Sequence, residues 1–208
     1  KASKWLGSNR TARTYKLSGT ASTAGASGTL TTGKAKAGKS TVLPLPVAGL
    51  CSRSMNQWTA GIPNQTGLLN PCLEDNSLND KAGVTFDTAP MKKAVRFQGP
   101  INVSLALSSL TGQGMASVAV SDVAPDGTVT RLTGGWQVIS HRSLNKKKSR
   151  YLDGQLIQPF HPFTKKAEQS LKPGKVQRVD VEVFPTGAAI RKGHRLRVAV
   201  QAYDVEHQ

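Results

Sequence analysis

The chain of 208 residues is poor in the groups that helical, metal-binding or membrane-spanning proteins depend on. Aromatic residues make up 5% of it and hydrophobic residues 38%. No run of about 18 apolar residues occurs, so no helical membrane span is expected. Lys1 to Arg13 contains no apolar block, so these positions do not form a signal peptide. There is no initiator Met, and the expectation is a chain that follows a removed leader or is cut from a longer one.

Motifs for chemistry are also missing. No G-x-S-x-G occurs, which excludes the strand-to-helix serine nucleophile of the α/β-hydrolase type. No dinucleotide fingerprint stands in strand-helix context, and Gly33 to Ser40 has only the composition of a phosphate loop. His141, His161, His194 and His207 lack metal-ligand spacing, and two cysteines in one stretch do not make a zinc site. No metal, no cofactor and no catalytic residue is therefore expected. His141 and His194 fall in strand-like runs and are assigned to strand surfaces.

The first 50 residues have no Asp or Glu, against eight Lys and Arg, and the whole chain carries a net charge of +16. That asymmetry suits a face for polyanions, or simple solubility beside partners that hold the acids. Nucleic acid is not expected, because the interleaved aromatics that stack bases are absent. Asn145 to Arg150, with three consecutive lysines, is expected to be a solvated loop.

Cys51 and Cys72 are the only cysteines, and they bracket the polar, aperiodic stretch 52–71. A disulfide in an oxidising compartment is the preferred pairing, worth roughly 3 kcal/mol by loop closure. Two unrelated buried thiols are the alternative. Asn9-Arg10-Thr11 and Asn64-Gln65-Thr66 match the glycosylation pattern, which is short enough to recur by chance.

What the chain does have is punctuation: 20 Gly and 11 Pro, most of them between apolar-polar alternations. Period 2 with Pro/Gly/Asp separators predicts a turn-rich antiparallel β-sandwich, each strand with one face buried and one solvated. Short strands are expected at 14–17, 29–31 and 41–43. Longer ones are expected near 94–98, 101–108, 115–123, 128–132, 135–142, 176–184 and 194–203. Asp180, Glu182, Arg195 and Arg197 fall at outward positions. Asp126-Gly127 is expected as a tight hairpin turn, and 165–171 as one or two helical turns. Residues 48–83 form a long irregular excursion, a length that is usually functional or disordered.

The order of these clusters resembles the C-terminal domain of the X-Pro dipeptidyl-peptidase and cocaine-esterase-like (CocE/NonD) serine hydrolases. The resemblance rests on Leu73-Glu74-Asp75, Val84 to Met91, Phe97-Gln98-Gly99-Pro100-Ile101-Asn102-Val103, Ala119 to Gly127 with Leu132-Thr133-Gly134-Gly135, and Phe184-Pro185-Thr186 with Ile190 to Val198. It implies an all-β, jelly-roll-like antiparallel β-sandwich, galactose-binding-domain-like, over residues 1–208 as a single domain. It also implies a catalytic α/β-hydrolase domain on the same polypeptide, outside these residues, acting on a small acyl or peptidyl substrate. None of the Ser-Asp-His triad maps here, so the chain alone is expected to be inactive.

The family's segment before L-E-D approaches the active site, which makes Met55, Gln57 and Trp58 the candidate substrate-facing residues. This sequence departs there, with Pro44 to Cys51 in place of the usual Asp-Pro and Gly-Gly. Family members also continue to a final strand, so an edge left unpaired would invite association into an oligomer. A secreted or bacterial cell-envelope location is expected rather than a cytoplasmic one. The reading from a different class is a free-standing carbohydrate- or protein-binding jelly-roll module.

Overall fold

A computed structural model describes residues 10–43 and 75–202. They contain ten strands: β1 (Lys16–Ser18), β2 (Gly28–Thr31), β3 (Val84–Asp87), β4 (Val95–Leu107), β5 (Met115–Val123), β6 (Val129–Val138), β7 (Arg150–Leu152), β8 (Gln155–Gln158), β9 (Gln177–Ile190) and β10 (Arg195–Gln201). One helical turn, α1 (Ser77–Asp80), precedes β3. Six strands form one sheet in the order β1-β2-β3-β10-β5-β6, and β4 pairs with β9 in a second layer. β7 and β8 make a small hairpin. All pairings are antiparallel except β2 with β3, which is parallel.

The core lies between the two layers. Val84, Phe86, Val118, Val120 and Val198 of the larger sheet face Leu105, Val179, Val181 and Val183 of the ribbon. The three valines of β9 are fully buried. Each contributes about 1.5–3 kcal/mol by leaving water, and their i, i+2, i+4 spacing puts all three on one side of the strand.

Several strands run further than turn residues suggest. The expected strands 94–98 and 101–108 are one strand, β4, with a register shift between Gly99 and Ile101. Gly99 takes a φ of 116° there, which a side chain would resist. A bulge therefore absorbs Pro100 without ending the strand. Likewise 128–132 and 135–142 are one strand, β6, that passes through Gly134-Gly135. The reason is packing: a Cβ on Gly135 would lie 2.0 Å from the Glu182 carbonyl oxygen, so glycine lets β9 cross directly over β6. β9 itself continues to Ile190. The Asp126-Gly127 turn forms as expected, with Gly127 at φ 92° and the Thr128 N–H bonded to the Asp126 carboxylate at 3.0 Å. The exposed lysines 146–148 occupy a turn organised by the Asn145 side chain. Residues 41–43 form no strand, and 165–171 reduces to a 3-10 turn at Lys165–Ala167.

One expectation holds only in part. Arg195 is exposed, but other outward positions are covered. Asp180 is 3% exposed and Ser121 is fully buried. His141 lies in a 3-10 turn (Ile139–His141) rather than a strand.

Candidate functional site

Cys51, Cys72, Met55, Gln57 and Trp58 all lie outside the described residues, as does most of the excursion 48–83. Description resumes at Asp75, and a polar seam begins there. The Asp75 carboxylate accepts from the Ser77 N–H at 3.0 Å, the Ser77 hydroxyl at 2.8 Å and the Val129 N–H at 3.0 Å. It therefore closes an Asx turn just before α1 and ties that segment to the first residue of β6. Burial pushes the Asp75 carboxyl up, but these bonds and the Lys81 charge outweigh it and hold it below the ordinary value.

α1 lies on the outer face of the larger sheet because that face is built of small residues. Thr85, Ala199, Ala119 and Gly134 form one cross-strand row through β3, β10, β5 and β6. The next row is Asp87, Arg197, Ser121 and Arg131. Arg197 donates to both Asp87 oxygens, at 2.7 and 2.8 Å, and to Asp80 of α1 at 3.0 Å. Gln201 donates its side-chain amide to the Asn79 carbonyl at 2.6 Å, fastening the other end of the turn. Burial pushes the Asp80 carboxyl up to about 6; the Arg197 guanidinium offsets this only in part, and Asp87 adds to the rise. Arg197 moves further above its ordinary value, mainly through its bonds to Asp87.

Separate polar contacts lie at the strand ends. His194 Nδ1 lies 3.0 Å from each oxygen of Asp122, joining the β9–β10 turn to β5. Thr88 accepts the Leu196 N–H through its hydroxyl and an Arg195 guanidinium N–H through its carbonyl, both at 3.0 Å. On the ribbon's outer side, His161 has its ring nitrogens 3.1 and 2.9 Å from the carbonyls of Ser143 and Asp180. Asp180 also takes bonds from Arg178 and Asn102. Burial pushes its carboxyl up, but these bonds outweigh that and lower it.

This arrangement holds strands and loops in place. Among the described residues no hydroxyl bonds a histidine ring nitrogen, so no activated serine or threonine is present. Nor do three or more His, Cys, Asp or Glu gather around a point that suits a metal ion. No helix occurs within 33–43, and Gly38 packs on the backbone of Gly19.

Sequence reasoning missed the Asp80–Arg197–Asp87 cluster. Its only signal was opposite charge in two alternating strands, Asp87 and Arg197. That becomes a contact only once β3 and β10 are known to be neighbours. Several residues that carried the family resemblance make these contacts: Asp75 with Val129, Asp122 with His194, Thr88 with Leu196, and Asp87 with Arg197.

Comparison with known proteins agrees with this inventory. The family described as X-Pro dipeptidyl-peptidase C-terminal non-catalytic domain matches residues 1–208. The chain is 28% identical over 136 residues to a protein named "Putative serine esterase" from Mycobacterium bovis, and equally to one of the same name from Mycobacterium tuberculosis. In each case the match covers 65% of this chain and 21% of the relative, so the chain spans about a fifth of their length. A crystal structure of a CocE/NonD family hydrolase from Staphylococcus aureus superposes with a TM-score of 0.54 at 22% identity, covering 64% of this chain and 24% of that one. A second structure from the same organism and family gives a TM-score of 0.51.

Proposed function

The chain belongs to the family of X-Pro dipeptidyl-peptidase C-terminal non-catalytic domains, and from that premise we propose that it stabilises the α/β-hydrolase domain of a serine esterase or peptidase and helps to shape its substrate pocket. The observation that carries the reading is where the seam lies. Asp75, directly after the stretch that holds Met55, Gln57 and Trp58, is tied to β6 by the Val129 bond, and Asp80 is tied to β10 by Arg197. A segment anchored at its base in this way presents the residues before it from a rigid sheet. In the parent, those residues contribute positioning and water exclusion to an acyl-serine reaction, while the nucleophile and its base come from the catalytic domain.

The proposal has a direct test. The purified 208-residue chain leaves p-nitrophenyl acyl esters intact, while deleting it from the parent lowers that enzyme's melting temperature and its kcat/KM. Trp58→Ala in the parent reduces kcat/KM without shifting the melting temperature. Ester hydrolysis by the isolated chain that a serine-directed phosphonate blocks would overturn the reading. So would a parent whose stability and kinetics survive the deletion unchanged.

A further inference from the structure

Among the described residues two long strands, β4 and β9, oppose the six-stranded sheet. β9 lies over β6, where Thr133 donates its hydroxyl to the Phe184 carbonyl at 2.9 Å. Beside β4, on the other side of the ribbon, a groove of about 1840 Å³ opens. Every residue of β4 from Val95 to Leu107 lines it, whereas β9 contributes only Arg178 and Ile190. Side chains alternate between the faces of a strand, so a strand that lines a groove with every residue presents its edge. β4 is bonded to β9 along one edge, and no other strand pairs with it among the described residues.

The groove has a distinct chemistry. Its floor is apolar and reaches core side chains such as Leu105, Val84, Phe86 and Val198. Arg13, Lys16, Lys39 and Arg96 stand exposed at its margin. No Asp or Glu occurs among the described residues that line it. Its volume exceeds the roughly 300–1,000 Å³ usual for a small-molecule pocket.

We propose that this groove receives an extended polypeptide segment of alternating apolar and acidic residues, which adds to the free edge of β4 as a third strand of the ribbon. Main-chain bonds along β4 would supply affinity, and alternate side chains would supply selectivity. Apolar side chains would enter the floor, and the acidic ones would meet the basic margin. At about 3.3 Å per residue, β4 is long enough for a partner strand of about eight to ten residues. Pro100 withholds one donor at the bulge, so pairing would run on either side of it. The inference is independent of the hydrolase reading, since it needs only the edge, the floor and the charge.

The test is fluorescence anisotropy of the full 208-residue chain titrated with a labelled peptide of alternating Val and Glu, about ten residues long. Saturable binding is expected. It should weaken at least about tenfold when Lys replaces Glu in the peptide, and similarly when alternate peptide amides are N-methylated. The double variant Lys16→Glu/Arg96→Glu should lose the Val-Glu peptide and gain the Val-Lys one, with an unchanged far-UV circular dichroism spectrum. The N-methylated probe tests the edge with no change to the protein, so a misfolded variant would not spoil the outcome. Absence of saturable binding would overturn the proposal, as would binding indifferent to N-methylation. Binding of phosphatidylglycerol vesicles without binding of the peptide would overturn it in favour of a lipid occupant.

Discussion

At the scale of single residues, Arg197 and the two carboxylates it holds decide how α1 stays on the sheet. Its side chain is 16% exposed, and those of Asp80 and Asp87 are 3% and 15% exposed. Removing one partner from a covered ion cluster costs more than the cluster contributes, because the remaining charges stay behind without compensation. Arg197→Ala is therefore expected to destabilise the chain by about 3–5 kcal/mol in urea unfolding, and Arg197→Lys by less, since it keeps the charge but loses the fork. Asp80 gives a pH signature. Its carboxyl stands at about 6 in the folded chain, against 3.8 as its ordinary value. Between those values the folded chain holds a proton that the unfolded chain does not. Asp80 thus costs stability above pH 6, and the cost fades as the pH falls through 6 towards 4. Asp80→Asn cannot titrate, so the melting temperature of the wild-type chain minus that of the variant should rise between about pH 7.5 and about pH 4.5. A flat difference would show that Asp80 is not raised.

At the scale of elements, the strands are set by what lies across from them more than by their own turn residues. Gly134-Gly135 has the look of a turn in sequence, yet β6 runs straight through it. At Gly135 an added Cβ would meet the backbone of Glu182 and Val183, at 2.0 and 2.8 Å; at Gly134 the nearest atom belongs to the Arg131 guanidinium. Backbone cannot step aside, whereas a side chain can. Gly135→Ala is therefore expected to cost at least about 1–3 kcal/mol by prising β9 from β6, and more than Gly134→Ala. Thermal melts of the two variants compare them directly. The hairpin at Asp126-Gly127 shows the opposite case, where local chemistry and tertiary structure agree. The same holds for Asn145, which organises its own turn. Elements whose cause is local were legible in the sequence; β4 and β6, whose continuity depends on a partner strand, were not.

At the scale of the whole molecule, the alternation of Val179, Val181 and Val183 and of Leu196 and Val198 was enough to require two packed β layers, since each strand has a side that must leave water. The order of the punctuation was enough to identify the family. Some of the outward positions were misjudged, though Arg195 is exposed. Asp180, Arg197 and Ser121 alternate as solvent-facing residues should, yet they are covered. Alternation says only that two faces differ; it cannot say that α1 lies on one layer or that the His161 segment lies on the other. The sequence by itself determined the class of fold and the family. Only the tertiary structure decided that Arg197 meets Asp80 and Asp87, that His194 meets Asp122, and that no described strand pairs with the second edge of β4, beside an apolar, cationic groove. The reason is that contacts between residues more than 100 positions apart, such as Arg197 with Asp87 and with Asp80, depend on strand order and register, and neither is written in any local stretch of the chain.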